Sequence, residues 1–249
     1  TKEVSLSEDG KELYKYAKPM MDLERKIEER FGSGEDTAKH CITIAASTVP
    51  AQYLLPEILK RYNEKYPKEQ LKIVEMDSAQ VVLRVIDHMV DVGLTGTTLE
   101  KKHCKYVPFY KDQLVVITPN TEKYRRLGEE SAGDISWICK ESFIMREEGS
   151  GTRKEAEKQF ARAGIDVGKL DVIASIENQE TIKKSVTQGL GISVLSRLAS
   201  KEEVEEGHML AFPIPGADKG RDINLVYNKN YQLTRSAERF IRVVKEVYG

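Results

Sequence analysis

The chain has 249 residues, of which 40% are hydrophobic and 32% charged, a composition that excludes collagen-like, low-complexity and disordered proteins. Its 39 Lys and Arg residues against 40 Asp and Glu give a net charge of −1, so it lacks the basic excess of most nucleic-acid-binding chains. The length suits one large or two small domains. No apolar run is long enough for a membrane span, and the N-terminal residues lack the apolar core of a signal peptide.

The first predicted element is a long amphipathic helix over residues 8–31. Ser7 is suited to cap its N-terminus, and Glu8 and Asp9 place negative charge at the positive end of the helix dipole. Pro19 lies inside the pattern and predicts a kink. The residues that form an apolar stripe at helical spacing are Leu13, Tyr16, Ala17, Met20, Met21, Leu23 and Ile27. This stripe must be buried, either on its own domain or on the same helix of a second copy.

After a polar linker at residues 32–37, strands and helices alternate to the end of the chain. Strands separated by helices of this length are typical of parallel sheets in the α/β class. The predicted strands are 41–46, 71–76, 92–95, 106–110, 113–118, 143–146, 172–175, 192–195, 210–213 and 223–227. The predicted helices are 50–66, 79–89, one that follows the loop at 149–152 and ends near 163, 180–188, one directly after 195, and 236–247.

Two junctions between a strand and a helix carry candidate ligand-binding residues. Ser47 and Thr48 follow the first strand, and the loop Gly149, Ser150, Gly151 and Thr152 follows the strand at 143–146. Free N–H groups converge at such junctions in open α/β sheets, and a Gly- and hydroxyl-rich loop suits an anion. The alternatives are a simple helix cap for Ser47 and Thr48 and a flexible turn for the loop. The loop lacks the GxxxxGK[ST] pattern of a nucleotide P-loop.

A third segment is polar at the start of a predicted helix and glycine-rich after its end. Asn178 or Gln179 is placed to line a cleft. Gly189 and Gly191 are better explained as a helix C-cap and a site of close packing than as ligand-binding residues.

Metal and catalytic chemistry find little support in the sequence. The pairs His40–Cys41 and His103–Cys104 offer four potential ligands, but adjacent ligands are unusual for zinc. We therefore expect no metal and no cofactor. With Cys139, the cysteines form an odd set without a CxxC motif, which indicates free thiols in a reducing cytoplasm. No Ser–His–Asp triad can be assembled, so an enzyme has no positive evidence.

Several of these segments together resemble the LysR-type transcriptional regulators. The segment VSLSEDGKEL at residues 4–13 is similar to the end of that family's wing strand and the start of its linker helix, with Ser7 and Gly10 in the LTxxG pattern. The other matching segments, in the family's order, are 42–67, DVGLT at 91–95, GLGI at 189–192, 225–227 and 236–247. By this resemblance the family's DNA-reading domain is absent, and only a trace of its wing remains at residues 4–6.

The resemblance implies an α/β fold of two Rossmann-like subdomains, the type 2 periplasmic-binding-protein fold, preceded by a long linker helix. Residues 1–36 would form the wing remnant and the dimerisation helix. The first subdomain would comprise 40–117 and 222–249, and the second 118–221. The chain would cross between them near Ile117–Thr118 and again near 220–223, and these crossings would act as a hinge.

The positions of this sequence that match the family's effector site are mainly residues with a hydroxyl group, together with a glycine. The implied effector-binding positions are Ser47, Thr48, Ser78, Thr97, Thr98, Gly149, Ser150, Thr152 and Gln179. Their hydroxyl and backbone N–H groups resemble those of family members that sense small anions. A small, anionic metabolite is therefore the expected ligand.

The leading hypothesis is the effector-sensing and oligomerising region of a cytoplasmic regulator, a homodimer or homotetramer that reaches DNA only through the absent domain. The alternative is a solute-binding protein of an oxyanion importer, which has the same fold and binds similar ligands. The helix at 8–31 favours the regulator, because a monomeric solute-binding protein has no need of it. An enzyme is the third possibility.

Overall fold

The computed structural model describes residues 7–31, 41–131, 133–217 and 220–249. The predicted wing trace at 4–6 and the linker at 32–37 lie outside the described residues. The strands are β1 Cys41–Ala46, β2 Gln70–Glu75, β3 Val92–Thr95, β4 Cys104–Asp112, β5 Leu114–Pro119, β6 Ser142–Arg146, β7 Asp171–Ile176, β8 Ile192–Ser196, β9 Met209–Pro213 and β10 Arg221–Asn228. The α-helices are α1 Glu8–Phe31, α2 Leu55–Lys65, α3 Ser78–Ile86, α4 Glu122–Glu130, α5 Gly151–Arg162, α6 Gln179–Thr187, α7 Arg197–Glu205 and α8 Arg235–Tyr248.

The helix α1 has the predicted bounds and the predicted cap. The Ser7 hydroxyl accepts a hydrogen bond from the Gly10 N–H at 3.1 Å. The helix continues through Pro19 as one element. None of the described helices is long and apolar enough to cross a membrane.

The first sheet has the strand order β2-β1-β3-β10-β4. Its strands β1, β2 and β3 are parallel, as predicted, whereas β10 runs antiparallel to both β3 and β4. Successive side chains of β1 point to opposite faces of the sheet, and both faces are buried. Ile42 and Ile44 pack against α2 and α8, and Ala45 packs against α3. This sheet and its three helices form the first subdomain.

The second sheet has the order β7-β6-β8-β5-β9 and is likewise mixed. Strands β6, β7 and β8 are parallel, and β5 is antiparallel to β8 and β9. One face packs against α5 through Phe160, and the other against α6 through Ile182 and Val186. Together with α4 and α7 this sheet forms the second subdomain. The predicted parallel pairing holds for β1–β3 and β6–β8, whereas β10 in the first sheet and β5 in the second run antiparallel to both of their neighbours.

The chain crosses between the sheets at Gln113, because β4 ends at Asp112 and β5 begins at Leu114. The predicted crossing near Ile117–Thr118 was therefore too late. All residues of β5 are buried, and such a continuous apolar run does not show which sheet it belongs to. The return crossing lies between Pro213 and Arg221, close to its predicted position.

The two crossings touch at Gly220. Its φ is +62°, and a Cβ there would lie 2.5 Å from the carbonyl oxygen of Asp112. Both the backbone conformation and the lack of space require glycine at this position.

Candidate functional site

A narrow cleft separates the two subdomains where strands from both sheets end. Three helical N-termini point to it: the π-helical segment Pro50–Leu54 that precedes α2, α3, and α5. Unpaired N–H groups and the helix dipole make such ends favourable for negative charge. The lining residues are Ser47, Thr48, Val49, Asp77, Ser78, Gly96, Arg146, Glu147, Ser150, Gly151, Thr152 and Arg221.

The cleft is closed in this structure. Its empty space measures about 250 Å³ including the open mouth, but only about 10 Å³ admits the centre of a water molecule. That is room for about one water. A metabolite can enter only if the walls separate.

Two glycines allow this close approach. A Cβ on Gly149 would lie 2.7 Å from the carboxyl carbon of Asp77, and one on Gly151 would lie 2.5 Å from the Ser78 hydroxyl oxygen. The predicted Gly- and hydroxyl-rich loop therefore packs directly on the first turn of α3 in the opposite subdomain.

Five of the nine predicted effector-binding residues line the cleft: Ser47, Thr48, Ser78, Ser150 and Thr152. Ser150 also caps α5, since its hydroxyl accepts from the Arg153 N–H at 3.3 Å. Asp77, which sequence reasoning missed, caps α3 by accepting from the Gln80 N–H at 2.9 Å. An acidic side chain before a predicted helix start was the signal that could have found it.

The other four predicted residues lie at the edge of the cleft or beyond its lining. Gly149 contacts Asp77, and the Thr97 methyl is 3.0 Å from the position that a Cβ on Gly151 would take. Thr98 and Gln179 do not line the cleft. Gln179 is buried, and neither of its side-chain amide atoms has a hydrogen-bond partner among the described residues.

The cleft contains two buried guanidinium groups, each with its own carboxylate. Arg146 donates from Nε to Glu147 Oε2 and from Nη2 to Glu147 Oε1, both at 2.8 Å. Arg221 lies 2.9 Å (Nε) and 2.8 Å (Nη2) from Asp112 Oδ2, and its Nη1 donates to the Thr152 hydroxyl at 3.2 Å. The sequence analysis singled out neither Arg221 nor Asp112, whose side chains meet across 109 positions of the chain.

A second polar contact joins the subdomains outside the cleft. The Tyr53 hydroxyl donates to the carbonyl of Ala199 at 3.5 Å, and burial raises its pKa. Nearby, the buried Lys183 pairs with Glu180 and Glu203 at 2.7 and 2.5 Å. Burial alone would lower the pKa of Lys183, but the two carboxylates outweigh it and raise the value.

The predicted glycine roles and thiol states can be compared directly with the structure. Gly189 has a φ of +82° just past α6, and a Cβ on Gly191 would lie 2.4 Å from the Ser142 carbonyl oxygen, which confirms the C-cap and close packing. In the described part of the chain, Cys41, Cys104 and Cys139 form no disulfide, and burial raises the pKa of Cys104 to about 11. His40 lies outside the described residues. Within the described ranges no group of three or more potential metal ligands occurs.

The family model for the LysR substrate binding domain matches residues 36–249. The chain belongs to the LysR family. A transcriptional regulator of the HTH type from Methanocaldococcus jannaschii is 28% identical over 98% of this chain and 81% of its own length. The RuBisCO operon transcriptional regulator of Allochromatium vinosum is 28% identical over 96% of this chain and 77% of its own length.

Solved structures of a regulatory domain and an effector binding domain match the fold. The regulatory domain of CcmR from Synechocystis, in complex with 2-PG, has a TM-score of 0.73 at 26% identity and covers 84% of this chain and 97% of its own. The effector binding domain of QuiR, in complex with shikimate, has a TM-score of 0.73 at 15% identity, covering 85% and 98%. The predicted family and the periplasmic-binding-protein-like fold are both confirmed, and the chain contains the effector-binding domain of a LysR-type regulator.

Proposed function

We propose that this LysR effector domain senses a small anionic metabolite in the cleft between its subdomains. The observation that carries the proposal is the convergence of three helical N-termini and two guanidinium groups on one closed space. Ligand binding there biases the spacing of the subdomains, and the regulator transmits that change to DNA binding in the cytoplasm.

Unused hydrogen-bonding groups in the cleft support this proposal. The hydroxyls of Ser47, Thr48 and Ser78 line the space but donate to no other residue that the structure describes. Hydroxyl and backbone N–H donors at helix starts suit carboxylate, sulfate or phosphate oxygens. The carboxylates of Asp77 and Glu147 also face the space, and Arg221 is already paired with Asp112, so an anion needs the guanidinium of Arg146.

The ligands of two similar structures support a small effector. CcmR was solved with 2-PG and QuiR with shikimate, both small molecules. The relatives found are transcriptional regulators, which gives no support to the importer alternative. Their descriptions likewise favour a regulator over an enzyme.

The proposed assembly is a homodimer or homotetramer formed in part through α1. The side chains of Leu13, Met20, Leu23 and Ile27 are all more than half exposed. A different set of α1 residues faces its own domain and lines a cavity of about 630 Å³ beside α3: Lys11, Tyr14, Lys15, Lys18 and Pro19. The apolar stripe is thus left for a second copy of the same helix.

Calorimetric titration tests the site after a thermal-shift panel of small anions, with shikimate and 2-PG included, has identified a ligand. Thr48→Ala removes an unused hydroxyl and should weaken binding roughly 10–150-fold, the effect of one hydrogen bond to a charged group. Thr98→Ala is the matched control, because Thr98 does not line the cleft, and its affinity should stay unchanged. Equal affinities in both variants and the unmodified chain would place the ligand elsewhere.

A further inference from the structure

The two arginines of the cleft differ in how firmly their carboxylates are held. The pair Arg221–Asp112 is buried on both sides, with side chains 3% and 1% exposed. The pair Arg146–Glu147 is asymmetric, with side chains 3% and 21% exposed. A carboxylate that already touches water loses less solvation when it leaves its partner, so Glu147 is the more easily displaced of the two.

The backbone fixes Arg146 and leaves Glu147 in a loop. Arg146 is the last residue of β6 and pairs with Ile176 of β7. Its carbonyl oxygen also accepts from Arg153 Nη1 at 3.2 Å and from the Ser175 hydroxyl at 3.4 Å. Glu147 begins the turn that Ser150 closes by donating its N–H to the Glu147 carbonyl at 3.1 Å. The Arg146 backbone is therefore fixed and its side chain is buried, whereas the partly exposed Glu147 carboxylate can rotate away.

The contact between the two side chains has the geometry of ligand recognition. Two parallel N–H···O bonds of 2.8 Å from one guanidinium are the bidentate arrangement by which arginine binds carboxylate and phosphate groups. Both residues line the closed cleft. In this position the Glu147 carboxylate occupies the donors that an entering anion would need.

We propose that Glu147 is a built-in competitor for the effector: it holds Arg146 in the ligand-free protein and is displaced by a carboxylate, phosphate or sulfate group. The proposal rests on the proposed function of the cleft as an anion site. It makes Arg146 the main cationic contact of the effector and makes Glu147 a residue that sets the affinity threshold. Removal of Glu147 from the guanidinium also frees the turn 147–150, which packs on α3.

The test is the binding of sulfate and inorganic phosphate at low ionic strength to the purified chain and its variants. Glu147→Gln keeps the side-chain size and removes the competing charge, so both anions should bind at least about tenfold more tightly, the scale of one charge-assisted contact. Glu148→Gln is the matched control: it changes net charge equally, but Glu148 is exposed and does not line the cleft. Its affinity should change by less than about threefold, as expected for a screened surface charge.

A second variant tests whether the increase in anion affinity depends on the Arg146 guanidinium. In an Arg146→Lys background, which keeps the charge and loses the bidentate fork, Glu147→Gln should no longer raise the affinity. Thermal unfolding serves as the folding check, and sulfate should raise the melting temperature of Glu147→Gln more than that of Glu148→Gln.

The outcomes separate this inference from the proposed function. Tighter binding by Glu147→Gln alone supports the inference, including the case in which the unmodified chain binds neither anion. If the unmodified chain binds an anion and Glu147→Gln binds it equally, more weakly, or no better than Glu148→Gln, the inference is overturned and the anion site stands. If no variant binds either anion, both the inference and the anionic ligand class are overturned.

Discussion

At the residue scale, a buried polar network joins the two crossings of the chain. Asp112 ends the first crossing strand and Arg221 begins the returning one. The second carboxylate oxygen of Asp112 accepts from the Ser196 hydroxyl at 2.7 Å, and Arg221 reaches Thr152. Four segments from both subdomains therefore meet on one ion pair. A buried pair of this kind is costly to break from one side, because the remaining charge is left uncompensated.

Asp112→Asn should therefore destabilise the protein by roughly 3–5 kcal/mol, the usual cost of leaving one partner of a buried pair alone. Lys111→Ala is the control, because its pair with Asp222 has side chains 67% and 44% exposed and should contribute at most about 1 kcal/mol. Urea unfolding of both variants measures the difference. If Asp112→Asn lowers the free energy of unfolding by no more than the control does, the network does not stabilise the two crossings.

Sequence patterns located part of this site and not the rest. Ser47, Thr48, Ser150 and Thr152 were found because strand–helix junctions are local features of the chain. The ion pair of Arg221 and Asp112 joins distant positions in a sequence where a third of all residues are charged, so no spacing marks either one.

At the element scale, the helices with apolar stripes and the parallel strand pairs were predictable, whereas the antiparallel strands β5 and β10 were not. The bounds of α1 agree with the predicted 8–31, whereas α4 was missed because only Tyr124 of its nine residues is buried. The region 50–66 was predicted as one helix but begins with a π-helical turn, Pro50–Leu54. The order and direction of strands depend on which sheet a buried strand joins. A fully buried strand has the same burial pattern in either sheet, so its sequence does not show which one it joins.

The apolar stripe of α1 leads to a prediction about assembly. Deleting residues 1–34, or replacing both Leu13 and Leu23 with Glu, should weaken self-association at least tenfold, because burying one Leu side chain contributes roughly 1.5–3 kcal/mol. The cores of both subdomains contain no residue of α1, so folding should persist. Replacing the exposed Glu12 with Gln is the control for an altered helix surface.

Analytical ultracentrifugation over a range of concentrations measures that change. A monomer at every concentration for the unmodified chain would contradict the proposed assembly. An unchanged association constant after the deletion would instead assign the interface to the effector domain alone.

At the scale of the whole molecule, two subdomains joined by two crossings enclose a site too small for its proposed ligand. The closed cleft admits about one water, so the ligand-bound protein must differ from this structure in the spacing of its walls. A ligand shifts such an equilibrium only through different affinities for the closed and open states. The central claim is therefore that anion binding and subdomain spacing are coupled.

Pulsed electron paramagnetic resonance across the cleft tests that coupling most directly. Spin labels at Gln80→Cys on α3 and Glu177→Cys after β7 place one probe on each subdomain at exposed positions, with Cys41 and Cys139 replaced by Ser. When the anion identified by calorimetry is present at a saturating concentration, the distribution of distances between the labels should narrow around a longer distance than that in the closed structure. The Thr48→Ala variant should need a higher anion concentration for the same change. Identical distributions without ligand and at saturation would contradict the account.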